Sequence, residues 1–414
     1  MHEEAVPWTA RLVSALGLLA LIGIAYALSE NRKAVPWRLV GIGTSMQVVF
    51  ALIVLKTHAG QAFFSLLNDG FERLLAFTAE GTKFLVGDYL DDSKFSVALS
   101  ILPTIIFFSS LMAVLYHLRV VQPIVKGLAW VMQRSLKTSG AETLSTVANI
   151  FVGQTEAPLV VRPYIATMTR SELMAVMVGG FATIAGGVLA AYVGMLRDAF
   201  PDIAGHLIAA SVMGAPATLV VAKLMVPETE TPVTSGTAAL AEEQPDANVI
   251  DAAARGAGEG LTLALNVGAM LLAFVALVAM ANALVGVIWH GLTLQAIFGW
   301  LLWPVAFLLG IPAHDCSAAA TLLGEKTVLN EFVAYAHLAE KIAPGGTGLS
   351  RRTVLILSYA LCGFANFSSI AIQIGGLGGM APTRRSDIAR LGLRAMLAGT
   401  IASFMTAAIA GMIG

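Results

Sequence analysis

Glu325, Lys326 and Glu331 place two carboxylates and an ammonium within eight residues of a chain that is otherwise mostly apolar. The run reads Gly324-Glu325-Lys326-Thr327-Val328-Leu329-Asn330-Glu331-Phe332-Val333-Ala334-Tyr335. Two other polar knots flank it in sequence: Gly153-Gln154-Thr155-Glu156, and Gly363-Phe364-Ala365-Asn366-Phe367-Ser368-Ser369. Ionised carboxylates only accept hydrogen bonds, whereas amides and hydroxyls donate and accept. Gln154, Thr155, Glu156, Asn330, Glu331, Asn366, Ser368 and Ser369 together suit a neutral ligand rich in hydroxyls and ring heteroatoms. Two carboxylates disfavour an anion. Phe364 and Phe367 offer flat faces to a ring. Lys326 is a single cation beside Glu325, and the pair is expected to be satisfied locally.

Such residues need a host that tolerates them. The chain has 414 residues, 57% hydrophobic and 12% charged, with mean hydropathy +0.79. That is an integral-membrane composition. A charge at the bilayer centre costs about 2.5–3.5 kcal/mol, so a cluster of them marks a used site. The net charge of −1 gives no basic surface for nucleic acid. Cys316 and Cys362 both lie in apolar runs, which argues against a disulfide framework or a metal cluster. The G-x-S-x-G, H-E-x-x-H and G-x-x-x-x-G-K-[ST] patterns are absent, so nothing points to an enzyme or to an organic cofactor.

The hydropathy pattern predicts an all-α polytopic protein with about eight transmembrane helices and two re-entrant hairpins. Residues 1–140 form an N-terminal group: spans over 10–28, 37–55 and 96–117, and an interfacial helix at 61–90 with apolar residues at helical spacing. The basic residues 119–137 then read as a loop. Residues 141–226 hold a hairpin (142–168), a broken helix (171–196) and a helix (204–226). The first hairpin is too polar and too interrupted to span, with Gly153 and Pro158 breaking it. Residues 227–290 supply a solvated loop and a long span. Residues 291–414 hold an apolar stretch (292–311), a second hairpin (315–340), a broken helix (353–377) and a last helix (391–413). Arg32, Lys33, Arg38, Arg384, Arg385, Arg390 and Arg394 fall on one side, which places both termini outside.

Two segments align without gaps, GFATIAGGVL (180–189) and GFANFSSIAI (363–372). Each follows a polar hairpin and precedes one more span. With the topology above the copies enter from opposite faces, as an inverted repeat. In secondary transporters that arrangement puts the site near the midplane. Asn149, Val152, Thr183 and Ile184 lie at the end of one half-helix and inside the first break. Carbonyl oxygens and one hydroxyl there suit Na⁺; a proton on Glu156 or Glu331, and a Thr183 hydroxyl bonded back to its own helix, are the alternatives.

The Gly324–Tyr335 run closely resembles the characteristic motif of the concentrative nucleoside transporters. Gly153–Glu156 and the Phe364–Ser369 break resemble the same family's other site segments. The likeness covers nearly the whole chain. It implies a bacterial inner-membrane symporter that imports nucleosides down an inward Na⁺ gradient, as a homotrimer with an elevator mechanism. H⁺ coupling, or transport of another neutral polar solute such as a nucleobase, is the alternative. The resemblance further implies that Gln154, Thr155 and Glu156 meet the base with Val188 nearby. Glu331, Asn366 and Ser369 would meet the ribose with Phe364 close, and Asn149, Val152, Thr183 and Ile184 would hold sodium.

Overall fold

The computed structural model describes residues 7–87, 102–235, 246–288, 292–343, 345–346 and 348–414. The start of the third expected span, the end of the interfacial helix and part of the 227–258 loop fall outside these residues. Every regular element among the described residues is helical. In the first half these are α1 (Trp8–Ala27), α2 (Trp37–Lys56), α3 (His58–Val86), α4 (Leu102–His117), α5 (Val121–Leu136), α6 (Gly140–Ala148), α7 (Arg162–Ile165), α8 (Arg170–Ala182), α9 (Gly186–Leu196) and α10 (Ile203–Met225). Then come α11 (Val249–Ile288), α12 (Leu294–Leu301), α13 (Trp303–Leu308), α14 (Cys316–Val328), α15 (Glu331–Ile342), α16 (Arg351–Ala360), α17 (Phe367–Met380) and α18 (Arg385–Ile413).

Six stretches are long and apolar enough to cross a membrane: α1, α2, the α8–α9 pair, α10, α11 and α18. α4 and α5 pass the same test together but bend by 78° at their junction. α16 and α17, with 10 and 14 residues, are too short singly. At about 1.5 Å per residue they cross a ~30 Å hydrocarbon layer only as a pair.

The basic segment 119–137 is not a loop. It is α5, an amphipathic helix that buries Val121, Val125, Ala129, Met132 and Leu136. Those residues recur at three- and four-residue spacing and make one stripe, with Lys126 and Arg134 off it. The apolar stretch 292–311 is likewise two short helices, divided at Leu302 before Trp303-Pro304. Proline lacks the N–H that would continue the first of them.

Packing sorts the helices into two sets. α4 lies along α11 for most of its length, while α1, α2, α8 and α10 gather around α18. Gly256-x-x-x-Gly260 lets α4 and α11 approach closely. A methyl at Gly256 would stand 2.6 Å from the Ala113 methyl, and one at Gly260 would stand 2.8 Å from Ile106 Cα. Without a hydrophobic force between helices in lipid, small residues of this kind carry the association. The outer face of α11 stays uncovered, with Leu272 and Val287 77% and 78% exposed.

Hairpin, broken helix and full helix occur twice in the same order: α6–α7, α8–α9, α10, then α14–α15, α16–α17, α18. Each break leaves backbone groups without helical partners, which lipid cannot satisfy. Protein covers them instead. The first hairpin reaches into the α8–α9 break, where Gly186 N donates to Phe151 O at 3.3 Å. The second break lies against the first. Gly363 adopts φ +151°, and a side chain on it would meet Phe181 O at 2.7 Å and Ser403 Oγ at 2.8 Å. Only glycine suits both the conformation and the space. The two breaks are out of step within the repeat. α8 runs on through Gly180-Phe181-Ala182, whereas Gly363-Phe364-Ala365 lies wholly in the gap between α16 and α17.

Candidate functional site

Asn366 caps α17 by accepting from Ser369 N at 2.9 Å, which places both side chains at the start of that half-helix. Asn330 caps α15 in the same way through Val333 N at 2.9 Å. An N-cap asparagine satisfies a backbone donor that the helix leaves orphaned. Glu331, the first residue of α15, is thereby fixed beside the second break. Its Oε2 accepts from Asn366 Nδ2 at 2.9 Å, and its Oε1 accepts from Tyr192 OH at 3.0 Å. Tyr192 lies on α9, stacked on Tyr335 of α15 with centroids 4.2 Å apart. Glu331 is 6% exposed and Asn366 2%.

The first hairpin closes the other side. Gln154 Nε2 donates to Ser369 Oγ at 3.4 Å, and its Oε1 accepts from Gln373 Nε2 at 3.3 Å. One connected line of polar groups therefore runs from Gln154 through Ser369 and Asn366 to Glu331 and Tyr192. It joins both hairpin tips to the second break. Thr155 Oγ1 donates to Glu156 Oε1 at 3.1 Å, and Glu156 remains accessible. The Thr155 methyl faces Gly376, where an added methyl would lie 2.9 Å from it. Val188 is buried one turn before Tyr192 on α9, and Phe364 is half-buried in the break.

Some of the polar residues expected in the site do something else. The Asn330 Oδ1 is taken up by its cap. Ser368 Oγ donates to Asn366 Oδ1 at 2.7 Å, where it reinforces the cap. Phe367 is 51% exposed, which leaves Phe364 as the ring nearer the core. Glu325 and Lys326 do not pair with each other. Glu325 lies 2.9 Å from His337 Nδ1 across the hairpin. Lys326 is fully buried, donates to Ala360 O at 2.8 Å and faces the Phe404 ring. Its ammonium thus meets the carbonyl end of α16, the end that favours a cation.

Tyr192 and Gln373 were not singled out from sequence. Each is a polar tip in a largely apolar helix, four residues after Val188 and Ser369 respectively, so the helical face they share is the signal for them.

At the other break, Thr183 Oγ1 lies 3.1 Å from Asn149 O and 3.0 Å from Gly179 O. Asn149 and Thr183 are each 1% exposed, and Ile184 is fully buried. The expected back-bond of Thr183 to its own helix is therefore present, but the same hydroxyl also reaches the hairpin. The Thr183 hydroxyl and the Asn149 and Gly179 carbonyl oxygens converge here. That donor set fits a hard monovalent cation, which the half-helix ends of transporters commonly hold.

Sequence profiles of known families match nearly the whole length. Residues 16–89 match the N-terminus of the Na⁺-dependent nucleoside transporters and residues 206–411 match their C-terminus. Residues 98–199 match a nucleoside-recognition domain. YutK of Bacillus subtilis strain 168, described as an uncharacterized transporter, is 48% identical over 407 residues, which is 96% of this chain and 98% of its own. Sodium/nucleoside cotransporter 1 of Mus musculus is 41% identical over 422 residues, which is 97% of this chain and 64% of that longer protein. The structure of CNTnw in an inward-facing, substrate-bound state superposes with a TM-score of 0.93 at 47% identity, covering 98% of both chains. An outward-facing CNTnw variant gives 0.91 at 46% identity over 97% of both chains. This polytopic membrane protein belongs to the family of Na⁺-dependent nucleoside transporters, which are transporters and not enzymes.

Proposed function

We propose that the chain is a symporter of a bacterial inner membrane that imports nucleosides by coupling them to an inward Na⁺ gradient. The observation that carries this is the continuous polar line from Gln154 to Glu331. It combines two amides, a hydroxyl and one carboxylate between the tips of two hairpins. A nucleoside needs such a mixture, because its base presents ring donors and acceptors while its ribose presents hydroxyls to a carboxylate. We assign Gln154, Thr155, Glu156 and Val188 to the base, and Glu331, Asn366, Ser369 and Phe364 to the ribose side. Asn149, Val152, Thr183 and Ile184 would hold Na⁺, whose charge neutralises the carbonyl end of α8. Ion and solute each favour closed hairpins, so each raises the population that crosses the membrane.

The packing supports an elevator in which α4 and α11 stay fixed. α1 and α2, grouped by sequence with α4, would instead travel with α18 because they pack against it. The bare apolar face of α11 is suited to meeting other copies, in a homotrimer, and both termini would face outward. Proton coupling is the second reading; the accessible Glu156 carboxylate favours it. Radiolabelled uridine uptake into proteoliposomes, with Na⁺ and pH gradients set independently, tests both. Uptake above equilibrium with a Na⁺ gradient at equal pH is expected. Stimulation by the pH gradient alone would refute sodium coupling. Stronger competition by uracil than by uridine would refute the ribose assignment.

A further inference from the structure

Gln373 fixes which end of the Gln154 amide faces the ligand. An amide side chain can turn over, and the two orientations present opposite hydrogen-bonding groups. Here a backbone group decides between them. Met177 O is a carbonyl and can only accept, and Gln373 Nε2 lies 3.0 Å from it. The Gln373 NH₂ must therefore point at Met177, and its second proton points at Gln154, 3.3 Å away. The Gln154 atom on that side has to be the acceptor, Oε1. Its NH₂ is left on the other side, where one proton goes to Ser369 Oγ at 3.4 Å.

Two independent features hold this relay in place. Gln373 is 1% exposed, and its Oε1 has no hydrogen-bond partner among the described residues, so no competing donor pulls the amide the other way. Gly180 leaves the room, because a methyl there would stand 2.6 Å from Gln373 Nε2 and 2.9 Å from Gln154 Cβ.

We infer that Gln373 is a positioning residue that sets base selectivity by presenting Gln154 to the ligand as a donor. This rests on the reading of Gln154 as a base contact. The ligand group that Gln154 selects is then an acceptor, such as a ring carbonyl oxygen, and not an N–H. Ser369, accepting from Gln154, keeps its own proton free to donate.

The test uses the purified full-length protein in detergent with Na⁺ present. Binding of uridine, 2-thiouridine and 4-thiouridine is measured by calorimetry, since sulfur is a poor acceptor. The wild type is expected to bind one thio analogue about tenfold more weakly than uridine. Gln373→Met keeps the volume and removes the relay. It should bind uridine about tenfold more weakly and discriminate the same analogue by less than about threefold. Wild-type affinity and unchanged discrimination in that variant would overturn the inference, as would a wild type that binds all three equally. A ligand-free arm covers a variant that binds nothing. Thermal midpoints of Gln154→Met, Gln373→Met and the double variant should be non-additive, and additive losses overturn the relay. Failure of the wild type to bind uridine at all refutes the transport reading, and the ligand-free arm still decides the relay.

Discussion

Replacing Glu331 by glutamine tests the sugar side of the site with little change in volume. In the native protein both carboxylate oxygens already accept one protein hydrogen bond, from Tyr192 at 3.0 Å and Asn366 at 2.9 Å. Asn366 cannot turn over to accommodate a new donor, because its Oδ1 is committed to Ser369 N at 2.9 Å and Ser368 Oγ at 2.7 Å. The new amide must therefore place its oxygen toward Asn366 and its NH₂ toward the Tyr192 hydroxyl. What it loses is charge and one acceptor. A hydrogen bond to a charged group contributes about 1.5–3 kcal/mol, against about 0.5–1.5 kcal/mol for a neutral pair. Two ribose hydroxyls then lose about 2–3 kcal/mol together, or about 30- to 150-fold in Kd. Calorimetric titration of E331Q with uridine reads this directly. Its titration with 2′,3′-dideoxyuridine is the control, and should differ from wild type by less than about threefold. Equal losses for both ligands, or wild-type uridine affinity, would show that Glu331 does not hold the sugar.

Thr183→Val keeps the shape of the first break and removes the hydroxyl that faces Asn149 O. The Na⁺ concentration for half-maximal uptake should rise by about tenfold, with nucleoside affinity at saturating Na⁺ nearly unchanged; an unaltered Na⁺ dependence rejects the site. Gly363→Ala should lose folded protein on size-exclusion chromatography, since its φ of +151° and the 2.7 Å approach to Phe181 O leave no place for a methyl. Normal expression and uptake would contradict that. Glu30, in the turn between α1 and α2, has its carboxyl held below the usual range by the hydrogen bond from Arg170 at 2.8 Å, aided by Arg394. A depressed carboxylate contributes stability above its unfolded pKa and loses it as pH falls through the folded value. Thermal stability should therefore fall below about pH 4, and Glu30→Gln should flatten that part of the profile. A variant with the wild-type acid slope would remove Glu30 from the account.

The candidate site is legible in the sequence where polarity is concentrated in an apolar chain. Gly153–Glu156, Asn330-Glu331 and Asn366–Ser369 announced themselves because each cluster is costly in lipid. The hairpins and breaks followed from glycine and proline placed where a span should run. Less of the site's wiring was visible. Tyr192 and Gln373 are single polar groups at the tips of otherwise ordinary helix residues, and their partners lie 139 and 219 positions away. Lys326 looked like a partner for its neighbour, yet adjacent helix residues point to different faces. It met a carbonyl at the end of α16 instead. α5 is hard to see in the sequence because its basic residues suggest a loop, although its apolar stripe has helical spacing. Which helices pack on which is a long-range property: chain order groups α1 and α2 with α4, whereas in the fold they lie against α18.

The offset between the two breaks gives the repeat its division of labour. A helix carries roughly half a positive charge at its N-terminus and half a negative charge at its C-terminus. The first copy breaks late, so the candidate ion site lies at the closing turn of α8 and its carbonyls. In the second, α16 ends more than a turn earlier relative to the alignment, and the candidate solute site lies at the opening turn of α17 and its amides. In two similar segments, a small phase shift leaves carbonyls at one break and amides at the other. Exchanging side chains between the copies would leave that polarity untouched. Converting one into the other requires moving the interruption itself along the helix.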